Sequence, residues 1–200
     1  MMGTVVDMAD FAAFSTLGPW HGGRPVPWTT VWTGEEQGFH VGTDHYAPGH
    51  MLLRQREAPG EGTPIFTSVH MQRQRAAMIQ GRCDLCGKAI RRGQARVVLA
   101  EPERLKGTDI EGHVMAPLHR ECARIGALLC PWTQGRIEAG RLVVTVVVRS
   151  TIAMAMLDPD MVEAETGRRF DGPVYGHAKL IVRKGLTRDA GWLLGAREAA

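Results

Sequence analysis

Apolar and polar positions change rhythm several times along the chain, and each change predicts a different element. After Pro117, Leu118, Cys122, Ile125 and Leu129 recur at i, i+4, i+7 and i+11, which is one face of a helix that Pro131 ends. Upstream, Val69, Gln72, Arg73, Ala76 and Ile79 share one side of another helix, which Ser68 can cap and Gly81 ends. Residues 26–32 are rich in β-branched and aromatic side chains and predict a strand, held to an edge or a strand start by Pro27. Shorter strands are expected at 39–41, 51–53 and 95–100, with 113–115 pairing back on the last of these. Residues 58–64, full of glycine and proline, predict a loop, and so do residues 106–112. Residues 136–138 and 141–148 predict a hairpin about Ala139-Gly140, its second strand so rich in valine that burial on both faces is expected. A weak helical pattern over 8–14, a helical turn within 158–171 and a helix over 189–198 complete the reading.

Candidate chemistry falls between these elements. Cys83-Asp-Leu-Cys86-Gly87 is followed 32 residues later by His119-Arg-Glu-Cys122, at the start of the helix after Pro117. Two residues between paired ligands let a tight turn aim both side chains at one metal, and zinc takes four Cys or His donors in a tetrahedron. The set Cys83, Cys86, His119 and Cys122 leaves no position for substrate, so it predicts one structural zinc ion. Two independent pairs argue against the plain alternative of reduced thiols buried as small apolar groups. Cys130, expected as a buried residue before Pro131, and His113 are the reserve ligands.

Composition adds a charge pattern. The formal net charge is +3, yet residues 70–96 carry Arg73, Arg75, Arg82, Lys88, Arg91, Arg92 and Arg96 against Asp84 alone. Such a basic face suits nucleic acid or an acidic protein partner, and a solvated helix face has the same composition. Residues 142–157 form the longest apolar run, too short and interrupted by Arg149, so no membrane span is expected. No secretory signal is visible at the start, which points to the cytoplasm, where four thiols are metal ligands more readily than disulfides.

His40, His45 and His50, with Asp44 between them, could bind a second metal or act as acid and base. Spacing of five matches neither helix nor strand, which favours surface histidines. An HNH-type nuclease, another user of the treble clef, employs an asparagine, and this chain has none. Neither nucleophile-elbow nor phosphate-loop patterns occur, and no small-molecule substrate is identifiable.

Residues 69–78, Cys83-x-x-Cys86-Gly87, Pro117-Leu118-His119-x-x-Cys122-Ala123 and Cys130-Pro131 resemble a group of uncharacterised zinc-finger-like proteins of actinobacteria and their phages. Pro25-Val26-Pro27-Trp28, Trp32 and Gly62-Thr63-Pro64-Ile65-Phe66 extend the resemblance, which covers roughly residues 25–145. In that group the second pair is Cys-x-x-Cys, so His119 is a departure that preserves a zinc ligand. Twenty arginines against four lysines fit such a GC-rich source. The resemblance implies zinc and a cytoplasmic setting, and no activity.

The fold expected is α+β, a treble-clef-like zinc unit embedded in a small β-rich domain. Residues 1–66 would be the β-rich N-terminal region, 67–133 the zinc unit, and 134–200 the C-terminal hairpin and helix, all in one compact body. Two functions are expected to compete. One is a zinc-stabilised accessory protein that touches nucleic acid or a host protein through the basic face. The other is an enzyme, hydrolase or nuclease, with its site in the loop from His40 to His50.

Overall fold

One sheet gathers strands from all three parts of the chain. The computed structural model describes residues 17–104 and 110–195. The helical pattern over 8–14, most of the loop at 106–112 and the end of the last helix lie outside the described residues.

In chain order, β1 (Trp20–His21) and β2 (Arg24–Pro25) form a short hairpin, followed by β3 (Thr30–Trp32) and a 3-10 turn at Thr33–Glu35. Next come β4 (His40–Gly42), β5 (Met51–Arg54) and β6 (Pro64–Val69), then α1 (Met71–Gln80). The middle of the chain supplies β7 (Arg96–Val98), β8 (Glu103–Arg104), β9 (Glu111–Gly112), β10 (Leu118–His119), α2 (Arg120–Leu129) and α3 (Pro131–Glu138). It ends with β11 (Val144–Met156), α4 (Pro159–Thr166), β12 (Val174–Arg188) and α5 (Ala190–Leu194). The principal sheet has the order β10-β7-β11-β12-β5-β4, antiparallel throughout except where β12 meets β5.

Successive residues of β7 point to opposite faces, so Val97 and Val98 enter different cores. Val97 packs with Cys83, Leu118, Cys122, Ile125 and Val144, and Val98 packs with Met78, Val147 and Leu180 under α1. A third apolar cluster, Leu53, Val162 and Val174, sits under α4.

Several expectations need correction. The helix after the loop begins at Met71 because residues 64–69 are taken up by β6, which pairs with β3; His70 caps it, its Nδ1 accepting from the N–H of Arg73 at 3.4 Å. The partner of β7 is β10, with Leu118 opposite Val97, whereas His113 exchanges two 2.9 Å backbone hydrogen bonds with Leu180 of β12. Residues 136–138 belong to α3 and form no hairpin with 141–148. The proline that ends α2 opens α3, since a missing N–H costs nothing at the first helical position. β11 pairs with β12 and is not buried on both faces: Val144 and Val147 are buried while Val148 is 53% exposed.

Helix α1 is where the periodic reading fails most informatively. Its residues 72–78 are all buried, including Gln72, Arg73, Gln74 and Arg75. Each polar side chain stands in for a missing backbone partner. Gln74 donates to the carbonyls of Val114 and Ala178, both at 2.6 Å, and accepts from the N–H of Ala178 at 2.9 Å. Gln72 pairs in the same way with the backbone of Gln55, at 2.7 and 2.9 Å. Arg73 reaches Glu35 through two nitrogens, at 2.6 and 2.7 Å, and the carbonyl of Thr30 at 2.7 Å. Glu35 also accepts from the backbone of Trp32 and Ala58, at 2.9 and 2.8 Å. Arg75 donates to the carbonyls of Leu53 and Gly176, and its Nε lies 3.6 Å from Asp44.

Burial acts to raise the Glu35 carboxyl, but the bonds from Arg73, Trp32 and Ala58 outweigh it and hold the group below its ordinary value of 4.5. Its stabilisation is therefore present above about pH 4.5 and lost as pH falls through the lowered folded value. Arg73→Met should cost about 3–5 kcal/mol in urea unfolding, since it strands the Glu35 charge in the interior. Glu35→Gln, which cannot titrate, should remove this contribution from the acid limb of the stability profile.

Candidate metal centre

The end of α1 aims the first ligand pair. Gly81 adopts the left-handed conformation (φ 64°) that closes the helix, and Arg82 N–H returns to the carbonyl of Ala77 at 2.8 Å. The chain then folds into a narrow loop: Cys83 N–H donates to Lys88 O (2.8 Å) and Gly87 N–H to Cys83 O (2.9 Å), beside a bridge between Arg82 and Ala89. Gly87 is required twice. Its φ is +68°, and a Cβ there would lie 2.8 Å from Cγ of Trp28. Trp28 N–H donates to Leu85 O at 3.0 Å, and the hydroxyl of Thr29 donates to the buried carboxylate of Asp84 at 2.8 Å. Desolvation pushes Asp84 up to about 6.

The second pair comes from the junction of β10 and α2. His119 is the last residue of the strand and the residue before the helix, and Cys122 lies in the first turn. All four ligand atoms of Cys83, Cys86, His119 and Cys122 lie within 4.8 Å of one another. Nδ1 of His119 is 3.5 Å from Sγ of Cys86 and 3.9 Å from Sγ of Cys122. On the far side of the ring, Nε2 lies 3.3 Å from the carbonyl of Ala89. A proton there donates to that carbonyl and leaves the Nδ1 lone pair aimed at the sulfurs. The backbone N–H of His119 points at Sγ of Cys83 (3.4 Å), a donor that favours a thiolate.

Three sulfurs this close cannot all ionise on their own. Hydrogen bonds from Cys122 and Cys83 hold Cys86 well below the usual thiol range, while donating to Cys83 and Cys86 pushes Cys122 well above it. A cation removes the conflict by balancing several thiolates at once. The donor set, its convergence and the oriented imidazole fit a metal ion.

Cys130 and His113 are not in this cluster. Cys130 is the half-buried residue joining α2 to α3, and His113 is held in the sheet beside Leu180. His40, which opens β4, His45 and His50 go to separate surroundings. His40 lies 3.2 Å from the carbonyl of Gly38, His45 lies tilted by 43° against Tyr46 with ring centres 3.7 Å apart, and His50 meets Tyr175 edge-on at 5.0 Å. His45 and Asp44 line a cavity of about 290 Å³ with Tyr46, Arg54 and Arg82, while His50 lines another with Tyr175. Among the described residues the Cys3His set is the one group of three or more potential ligands that converges.

The basic face is smaller than expected. Arg73 and Arg75 are 4% and 0% exposed and neutralised from within, by Glu35 and beside Asp44, so they do not belong to any surface. Lys88, Arg91 and Arg92 are exposed on the metal loop and its continuation. Arg82 is half-buried, 5.8 Å from the Trp28 ring centre, and Arg96 is half-buried, with burial lowering its pKa. Sequence reasoning overlooked Ala89, Thr29 and Trp28, whose roles depend on long-range contacts or on backbone atoms that no residue pattern marks.

The arrangement defines a class: an α+β protein carrying a Cys3His set able to hold a metal ion. Compared with protein-family models, curated proteins and solved structures, the chain matches none of them. No helix among the described residues is long and apolar enough to cross a membrane.

Gly87→Ala should cost about 2–4 kcal/mol in urea unfolding, combining backbone strain with displacement of Trp28. Gly93 also has positive φ (+90°) but open space around it, so Gly93→Ala should cost only the strain, about 1–2 kcal/mol.

Proposed function

We propose that Cys83, Cys86, His119 and Cys122 hold one structural zinc ion in a treble-clef-like unit, and that the protein is a zinc-stabilised binding protein for nucleic acid. The carrying observation is the convergence of two ligand pairs from separate elements within 4.8 Å. A tetrahedral zinc site with bonds of about 2.3 Å to sulfur and about 2.0–2.1 Å to nitrogen has S···N edges of about 3.6 Å. The two short S···N separations, 3.5 and 3.9 Å, bracket that value. Order along the chain supports the same unit: a ligand-bearing loop, the β7/β10 pair, then a helix whose first turn supplies Cys122.

Four protein ligands close the coordination sphere, so zinc here would fasten the loop to the helix and leave no open position for substrate. Exposed Lys88, Arg91 and Arg92, with half-buried Arg82 and Arg96, surround the loop and give phosphates a salt-sensitive contact. Four cysteines without a disulfide suit a reducing cytoplasm, and the resemblance to actinobacterial and phage zinc-finger-like proteins fits the same picture.

Metal analysis of the purified protein should give one zinc per chain, and Cys86→Ser should abolish binding. Zinc binding in small fingers is worth about 10–16 kcal/mol, so chelation should unfold residues 83–130 cooperatively and lower the melting temperature sharply. Undiminished zinc content in Cys86→Ser would refute the site. Retention on duplex DNA or RNA at low salt should weaken in the triple variant Lys88→Glu, Arg91→Glu, Arg92→Glu. The slope of log K against log salt should fall by about 0.9 for each phosphate that the variant no longer neutralises.

A further inference from the structure

We propose that β11 and β12 form a second nucleic-acid contact, a basic ribbon that grips the phosphate backbone through Arg149, Arg183 and Lys184. This rests on the reading of the protein as a nucleic-acid binder and names a further surface for it. Neither strand contains an Asp or Glu, while together they carry Arg149, Lys179, Arg183, Lys184 and Arg188. Two of these charges are already engaged: Lys179 pairs with Glu103 at 3.1 Å, and Arg188 lies 5.9 Å from the Trp192 ring centre.

The register concentrates the rest. Arg149 stands directly opposite Lys184, a cross-strand placement of like charges that a sheet resists unless an anion lies over it. The pairing slips on both sides of that couple. Val147 faces Gly185 and Arg149 faces Lys184, so Val148 is an extra residue on β11. Ser150 faces Val182, so Arg183 is an extra residue on β12. Two bulges, one on each strand, thus flank a single like-charged pair, and bulges re-aim side chains and tighten the twist. Gly185 allows the close approach, since a Cβ there would lie 2.8 Å from Cγ2 of Thr145.

Arg149, Arg183 and Lys184 are all exposed, and Val148 and Leu186 beside them are 53% and 45% exposed. Nε of Arg183 donates to Oγ1 of Thr151 at 3.2 Å, which holds its guanidinium across the neighbouring strand. Residues 183–188 are exposed throughout, so β12 faces solvent here while Val144 and Val147 of β11 stay in the core. β11 and β12 lie inside the principal sheet, so the contact is made by their exposed face, where the clustered cations match the phosphates of a duplex.

The test uses the full chain with a short DNA duplex and a short RNA duplex, each titrated across a salt series. Arg149→Glu places an opposite charge across from Lys184, so its melting temperature should equal or exceed that of the parent protein. Its duplex affinity should nevertheless fall about tenfold or more, and further when Arg183→Glu is added. Lost affinity with preserved or raised stability upholds the ribbon, because a purely structural Arg149 would not separate the two readouts. A parent protein that binds duplex, with a double variant that binds equally well, overturns the ribbon but leaves the binding function standing. A parent protein that binds neither duplex at low salt overturns both. Binding of polyglutamate as tight as that of duplex would make this an acidic-protein surface and overturn the proposal.

Discussion

The interior of this protein is organised by the cost of desolvating one helix. α1 runs beneath β12 with four consecutive polar side chains out of water, and each unpaired group there would cost about 1–3 kcal/mol, more if charged. The structure answers with partners from far along the chain. Gln74 reaches Ala178, Arg75 reaches Gly176, Arg73 reaches Glu35, and Gln72 reaches Gln55. Four side chains on adjacent positions therefore tie the N-terminal strands and the C-terminal ribbon to one axis. Gly81 then closes the helix and sets where the loop of Cys83 begins.

That placement gives the metal centre its precision. The loop from Cys83 to Lys88 is clamped on three sides: by Trp28 against Gly87, by Thr29 on Asp84, and by the bond from Asp84 N–H to the carbonyl of Pro117 at 3.0 Å. The second ligand pair follows that same Pro117 by two residues. One local contact thus brings the two halves of the site together before any cation is considered, and Cys83 and Cys122 then share a core with Val97, Ile125 and Val144. Packing of this kind would leave a metal ion held by the four ligands little freedom to change partners.

Most of the site was legible in the sequence because paired cysteine and histidine ligands carry their geometry in their spacing. The helix of Cys122 was legible too, since one face of it is apolar with the period of an exposed helix. The strand at 64–69 and the start of α1 were not: Ser68 looks like a cap, but pairing of β6 with β3 claims it and passes the role to His70. The same limit hid α3, where Pro131 reads as a stop signal and serves equally as a start. Tertiary pairing decided the first case, which no local pattern reports, and the double meaning of proline decided the second.

Charge was the least legible property, for a physical reason. An arginine in a basic run and an arginine sealed against a carboxylate read identically along the chain, yet one carries a field into solvent and the other carries none. Arg73 and Arg75 contribute to the density of positive residues around the metal loop and nothing to its surface. Conversely, Arg149 and Lys184 are 35 positions apart in sequence and become neighbours only through the register of β11 and β12. A sheet that needed only stability would place opposite charges, or none, at such a pair. Retaining two cations there, between two bulges and without an acid on either strand, makes sense for a surface whose balancing charge arrives from outside.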